Sequence, residues 1–125
     1  MSSSNPIQIV VTTRHLEEQS EPISKRFAFA YTIAITNNGI SSVQLLNRHW
    51  KITDDNNGVE EIKGEGVIGK QPNIAPGETF TYTSGALIKT EVGTMQGSYE
   101  MCWADGVKFN AAIAPFLLAI PHTLH

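Results

Sequence analysis

Among its 125 residues the chain has a single cysteine, Cys102. No internal disulfide can form, so nothing in the composition points to an oxidising compartment. Charge is scarce too: Asp, Glu, Lys and Arg make up 17% of the residues, against a usual share of about 25%. Nine Lys+Arg and twelve Asp+Glu leave a formal net charge of -3. A general nucleic-acid binder normally needs a strong basic stripe, and this mildly negative balance argues against that role. Long apolar runs are missing as well. The longest, Ala111 to Ile120, contains Pro115 and is half the length of about 20 residues that a membrane helix requires. The N-terminal Met1-Ser2-Ser3-Ser4-Asn5-Pro6 has neither the basic nor the apolar part of a signal peptide. The expectation is a cytoplasmic protein with no nucleic-acid partner and no membrane insertion.

What is present suffices for a core. Hydrophobic residues reach 41%, too many for a disordered chain. A chain of this length fits one domain and buries roughly two-thirds of its unfolded surface. We expect a single domain over residues 1–125, ordered over about 7–118, with short tails.

Turn signals divide the chain at the spacing of an all-β domain: Asn37-Asn38-Gly39, Asp54-Asp55-Asn56-Asn57-Gly58, Pro76-Gly77 and Ala104-Asp105-Gly106. Asn-Gly and Asp-Gly favour tight hairpins because both residues tolerate positive φ. Between the turns, apolar residues alternate with period two. Phe27, Phe29, Tyr31, Ile33 and Ile35 share one face, while Ala28, Ala30, Thr32, Ala34 and Thr36 share the other. The period repeats in Leu46, Trp50 and Ile52, with Arg48 among them, in Phe80 and Tyr82, and in Met95, Gly97, Tyr99, Met101 and Trp103. Ile7, Ile9 and Val11 open the chain and Phe109 to Leu118 closes it. Segment 14–26 is polar, holds Pro22 and reads as a long loop with at most a helical turn at Leu16–Gln19. Seven to eight short strands and no helix predict an antiparallel β-sandwich of the immunoglobulin or fibronectin type III kind. Trp50 then falls on a central strand, and Gly97-Ser98-Tyr99-Glu100-Met101 has the spacing of a tyrosine corner.

One stretch invites chemistry. Gly64, Gly66 and Gly69 match the G-x-G-x-x-G spacing of dinucleotide-binding loops. Such a loop needs a helix to follow, and Pro72 and Pro76 forbid one, so the dinucleotide reading fails. Successive backbone N–H groups can still form an anion-binding nest without a helix. Lys63, Lys70 and Gln71 flank the glycines and would complete a site for a phosphate-containing small molecule, although Glu65 inside the loop opposes it. The competing reading is structural, with the glycines permitting a bulge or close strand packing. Arg48 has two readings as well. It either pairs with a carboxylate, Glu65 or Glu78, or opens into a cleft beside the loop and helps to bind an anion.

The run Gly64-x-Gly66-Val67-x-Gly69-x-Gln71-Pro72-x-x-x-Pro76-Gly77-Glu78-x-Phe80-x-Tyr82-Thr83-Ser84-Gly85 resembles the signature of the bacterial ApaG family. Arg48-x-Trp50 upstream and Gly93-x-Met95-x-Gly97-x-Tyr99 downstream extend the resemblance, which spans about Ile7 to Leu118. It implies a fibronectin type III-like sandwich in a small cytoplasmic bacterial protein, loosely associated with cobalt resistance and magnesium efflux. It also implies protein binding, the role thought to fall to related domains in eukaryotic F-box and polymerase-interacting proteins. No catalytic residue is established for the family, so none is carried over.

Other candidates carry less. His15 lies among Glu17, Glu18 and Glu21, His49 faces away from Trp50, and His122 and His125 close the chain. No spacing forces three ligands together, so no metal site and no cofactor is expected. Cys102 has Glu100 rather than a base as its neighbour, and Ser84 lacks the strand–turn–helix setting of a nucleophile elbow. Ser84 is expected instead to satisfy backbone groups where its strand ends. The resulting expectation is a non-enzymatic interaction module with a protein partner. A small-anion binder built on residues 63–71 and Arg48 is the alternative, and an exposed sheet edge offers a route to a homodimer.

Overall fold

The computed structural model describes residues 6–121. His122 and His125 therefore lie outside the described residues. Eight strands follow in order: β1 (Ile7–His15), β2 (Phe27–Asn37), β3 (Val43–Asp54), β4 (Val59–Glu65), β5 (Asn73–Ile74), β6 (Thr79–Ile88), β7 (Val92–Trp103) and β8 (Lys108–Ala119). They form two antiparallel sheets, β1-β2-β6 and β4-β3-β7-β8, with β5 adding to β3 at Val43 and Gln44. The protein is an all-β sandwich, as the alternation predicts. The 14–26 segment divides between the end of β1 and two 3-10 turns, Glu17–Gln19 and Pro22–Ser24. No helix among the described residues is long and apolar enough to cross a membrane.

The core lies between the sheets. Phe29, Ile33 and Ile35 from β2 meet Val43, Leu45 and Trp50 from β3 and Met95, Tyr99 and Met101 from β7, all buried. Trp50 stands at the centre with its ring edge-on to Tyr31, Tyr99 and Phe116 at centroid distances of 5.5, 6.2 and 5.9 Å. Quadrupolar rings prefer this geometry, which adds about 0.5–1.5 kcal/mol per pair beyond area burial.

Two irregularities break the alternation. The β3–β7 register shifts between Leu45 and Asn47, so the buried face passes from Val43 and Leu45 to Trp50 and Ile52. Leu46, expected on the core face, is displaced by this bulge, and Leu45 takes its place. In β8 the shift falls opposite Met95 and Gly97, so burial passes from Ala111 and Ile113 to Leu118. Pro115 sits there, where its missing N–H disrupts no ladder bond.

The turn signals divide into two kinds. Asp54–Gly58 closes the β3–β4 hairpin, with Asp54 Oδ1 accepting from the Asn56 and Gly58 amides at 2.9 and 2.8 Å. Ala104–Gly106 closes the β7–β8 hairpin. Asn37–Gly39 and Pro76–Gly77 instead carry the chain from one sheet to the other. The fully buried Asn37 amide donates to the carbonyls of Ser41 and Ile74, both at 2.9 Å, and accepts from the Gly39 amide at 2.8 Å. A buried amide with every group satisfied makes the arch specific. The expected tyrosine corner is absent as well. The Tyr99 hydroxyl pairs with that of Tyr82 across the sandwich rather than with nearby backbone.

Candidate functional site

β3 places Arg48 opposite Gly64 of β4 and Tyr99 of β7. A side chain at position 64 would put its Cβ 2.7 Å from the Arg48 Cζ and Nη2. Only glycine lets the guanidinium lie over the β4 backbone. From there Nη1 donates to the carbonyls of Glu65 and Gly66 at 3.1 and 2.9 Å. The expected carboxylate partner is thus replaced by two main-chain oxygens at the point where β4 ends. Glu65 contributes its backbone, and Glu78 instead accepts from the Ala75 amide at 2.9 Å within the Pro76–Gly77 turn.

The chain then reverses sharply. Gly66 has φ +66, and a Cβ there would run into the Lys70 carbonyl. The Val67 and Lys70 amides each donate to the other's carbonyl, at 2.8 and 2.9 Å. They close a two-residue turn in which Ile68 and Gly69 have φ of 43° and 78°. Positive φ at both central positions is the type I′ pattern, which normally selects Asn-Gly. The Leu46 carbonyl, freed by the bulge, accepts from the Gly66 amide at 2.8 Å and from Gln71 Nε2 at 2.9 Å. The amides of Gly66, Val67 and Lys70 are therefore engaged with protein carbonyls, in keeping with the structural reading of the glycines rather than with a nest. Each glycine of the motif has a structural reason: Gly64 admits the guanidinium, Gly66 the reversal and Gly69 the tight turn.

Arg48, Gly64, Gly66 and Gln71 are thus gathered around the β3 bulge, while the two lysines are not brought together. Lys63 is exposed and borders a shallow recess with Arg48, His49, Ser98, Glu100 and Asn110, and Lys70 projects from the turn. On its walls Asn47 Nδ2 donates to Glu100 Oε1 at 2.6 Å, and His49 Nε2 lies 3.5 Å from Oε2 of Glu61 on β4. A second recess, between the two sheets, is bordered by Arg48, Trp50, Ile68, Tyr82 and Ser84. Ser84 lies within β6, which runs on to Ile88, so it does not mark a strand end.

The inter-sheet tyrosine pair is invisible in the sequence, where Tyr82 and Tyr99 are separate inward positions. Burial pushes the Tyr99 hydroxyl well above the ordinary value near 10, and the adjacent Tyr82 adds to the shift. Burial likewise raises Tyr82, partly offset by the Tyr99 hydrogen bond. Among the described residues no three His, Cys, Asp or Glu side chains are grouped to hold a metal ion. His15 leans on the Phe29 ring, and its Nε2 lies 3.1 Å from Ser20 Oγ. The Cys102 thiol donates to the Trp103 carbonyl at 3.5 Å.

A fold of two antiparallel sheets with an Arg-braced glycine turn defines a class of small β-sandwich proteins, and comparison with known proteins identifies it. The ApaG domain model matches residues 17–103. Protein ApaG of Pseudomonas putida is 59% identical over 119 residues, covering 95% of this chain and 94% of that protein. Protein ApaG of Pseudomonas entomophila is 56% identical over the same coverage. A crystal structure of the putative ApaA protein from Bordetella pertussis superposes with a TM-score of 0.91 at 48% identity, covering 94% of this chain and 95% of that one. The chain belongs to the ApaG family.

Proposed function

We propose that this protein is a cytoplasmic, non-catalytic interaction module that binds a protein partner. One observation carries the reading. The segment best suited to bind a phosphate has its Gly66, Val67 and Lys70 amides and the Arg48 Nη1 donor engaged with its own backbone. These four donors serve folding, which favours strand edges and other loops as recognition surfaces. A role in cobalt resistance or magnesium efflux would then run through the partner.

The alternative is a small-anion binder using Lys63, Gly64, Gly66, Gly69, Lys70 and Gln71 with Arg48. The observation in its favour is that Arg48 and Lys63 border one recess. Calorimetric titration with pyrophosphate, ATP and cobalt separates the two. The interaction module is expected to give no heat with any of them. Millimolar-or-tighter anion binding that disappears in Lys63→Gln or Lys70→Gln would establish the alternative.

A further inference from the structure

Among the described residues five strands border the two sheets: β5 is only two residues long beside Pro72, and three of the other four carry the usual defences against pairing with foreign chain. β4 has Glu60, Glu61, Lys63 and Glu65, β8 has Lys108, Pro115 and a bulge, and β1 has Arg14 and runs beside β8. β6 has none. Its ten residues, Thr79 to Ile88, include no charge and no proline. Its register against β2 runs unbroken from Thr36↔Thr79 to Phe27↔Ile88. Its other side pairs with no strand among the described residues.

The flank of β6 is built in the same sense. Ile68, Val59 and Leu87 are 52, 56 and 53% exposed. Ile68 borders the recess at Tyr82 and Ser84, while Val59 and Leu87 border another beside Ile88. The two recesses stand about four residues apart along β6, roughly 13 Å at strand rise. Ile68 holds a left-handed conformation that suits Asn far better than a β-branched residue. An apolar side chain there, strained and half exposed, does nothing for the turn that Asn would not do at lower cost. Beyond Leu87 and Ile88, the chain forms a further recess of about 620 Å3 bordered by Lys25, Arg26 and Lys89, with no carboxylate on its walls.

We propose that β6 is a docking edge for an extended segment of a partner protein, added as a further strand to the β1-β2-β6 sheet. The segment alternates β-branched and polar residues, sets apolar side chains over Ile68 and Val59, and ends in Asp or Glu at the Lys25–Arg26–Lys89 recess. Main-chain bonds to β6 supply affinity, and the alternating side chains and the acidic end supply specificity. This inference rests on the interaction-module reading and names its surface and the chemistry of its partner.

The test pans displayed random peptides of about twelve residues, a strand with its flanks, against the full chain. Enriched peptides are expected to alternate β-branched residues and to carry carboxylates at one end. Their amide chemical-shift changes should run along Thr79–Ile88. The doubly substituted Thr83→Lys/Ser84→Lys chain, with an unchanged circular dichroism spectrum, should bind about tenfold or more weakly. Lys89→Ala should lose affinity selectively for the acidic peptides. Shift changes confined to other surfaces, or binding indifferent to the β6 lysines, would overturn the docking edge while leaving the interaction module intact. No enriched peptide, together with no protein retained from a native extract, would overturn both. Light scattering that shows a dimer abolished by Thr83→Lys would give the edge to a second copy and overturn the partner strand.

Discussion

Two neighbouring parts of the sandwich use polar groups in opposite ways. Around Arg48 its Nη1 group and the amides of Gly66, Val67 and Lys70 find acceptors within the molecule, and the glycines keep side chains out of the way. Along β6 the chain has ordinary Thr, Ser and Ala residues, and its outer side pairs with no described strand. The motif-rich region turns these donors onto its own backbone, while the plain one leaves a strand edge unpaired among the described residues. An eye-catching residue pattern can thus serve folding, and a plain strand can be the one whose main-chain groups are left for the proposed partner.

Substitutions can break this contrast. The largest effect should come from Gly66→Val, which forces a β-branched residue into φ +66 and against the Lys70 carbonyl. A loss of about 3 kcal/mol or more in urea unfolding is expected; a loss within experimental error would mean that the turn is not a folding element. Removing the guanidinium in Arg48→Ala should cost about 1–3 kcal/mol by orphaning two carbonyls, and Arg48→Lys should recover only part.

The tyrosine pair provides a comparison inside the core. Tyr82→Phe and Tyr99→Phe should each cost about 1–3 kcal/mol by leaving the other hydroxyl unpaired, and the double variant should lose less than the sum. Because burial holds both folded-state values above the unfolded one, the contribution is complete below pH ~10 and declines as pH rises beyond it. The double variant should flatten that alkaline decline; an unaltered profile would assign it to other groups.

Smaller effects complete the set. Ile68→Asn should raise stability by about 1 kcal/mol by relieving the left-handed Ile, while weakening any peptide bound along β6. Thr83→Lys should leave the unfolding midpoint nearly unchanged, within about 0.5 kcal/mol. Together these last two separate residues kept for stability from residues kept for contact.

Much of the architecture is legible in the residue pattern because period-two burial is a local property. Phe27 through Ile35 and Met95 through Met101 lie where their alternation puts them. The bulge at Leu45–Asn47 is not legible, because it depends on the register against β7, and it moves Leu46 off the core face. Asn-Gly reads the same whether it closes a hairpin or carries the chain between sheets, since both need the same backbone freedom. At the site, the glycine spacing is visible but its reason is not. Arg48 satisfies itself on carbonyls of Glu65 and Gly66, and main-chain oxygens leave no trace in side-chain identity. The β6 edge shows in the sequence only as missing charge, which acquires meaning once its place at the sheet border is known.

The same uncharged decapeptide, Thr79–Ile88, has a consequence for the protein's life outside its folded state. Segments of high β-propensity without charge or proline can stack into cross-β assemblies when exposed. While β2 is unfolded, or while synthesis has not yet delivered β7 and β8, this strand lacks its shelter. Overproduction or heating should therefore lead to aggregates seeded by residues 79–88, and the lysine substitutions on β6 should suppress them.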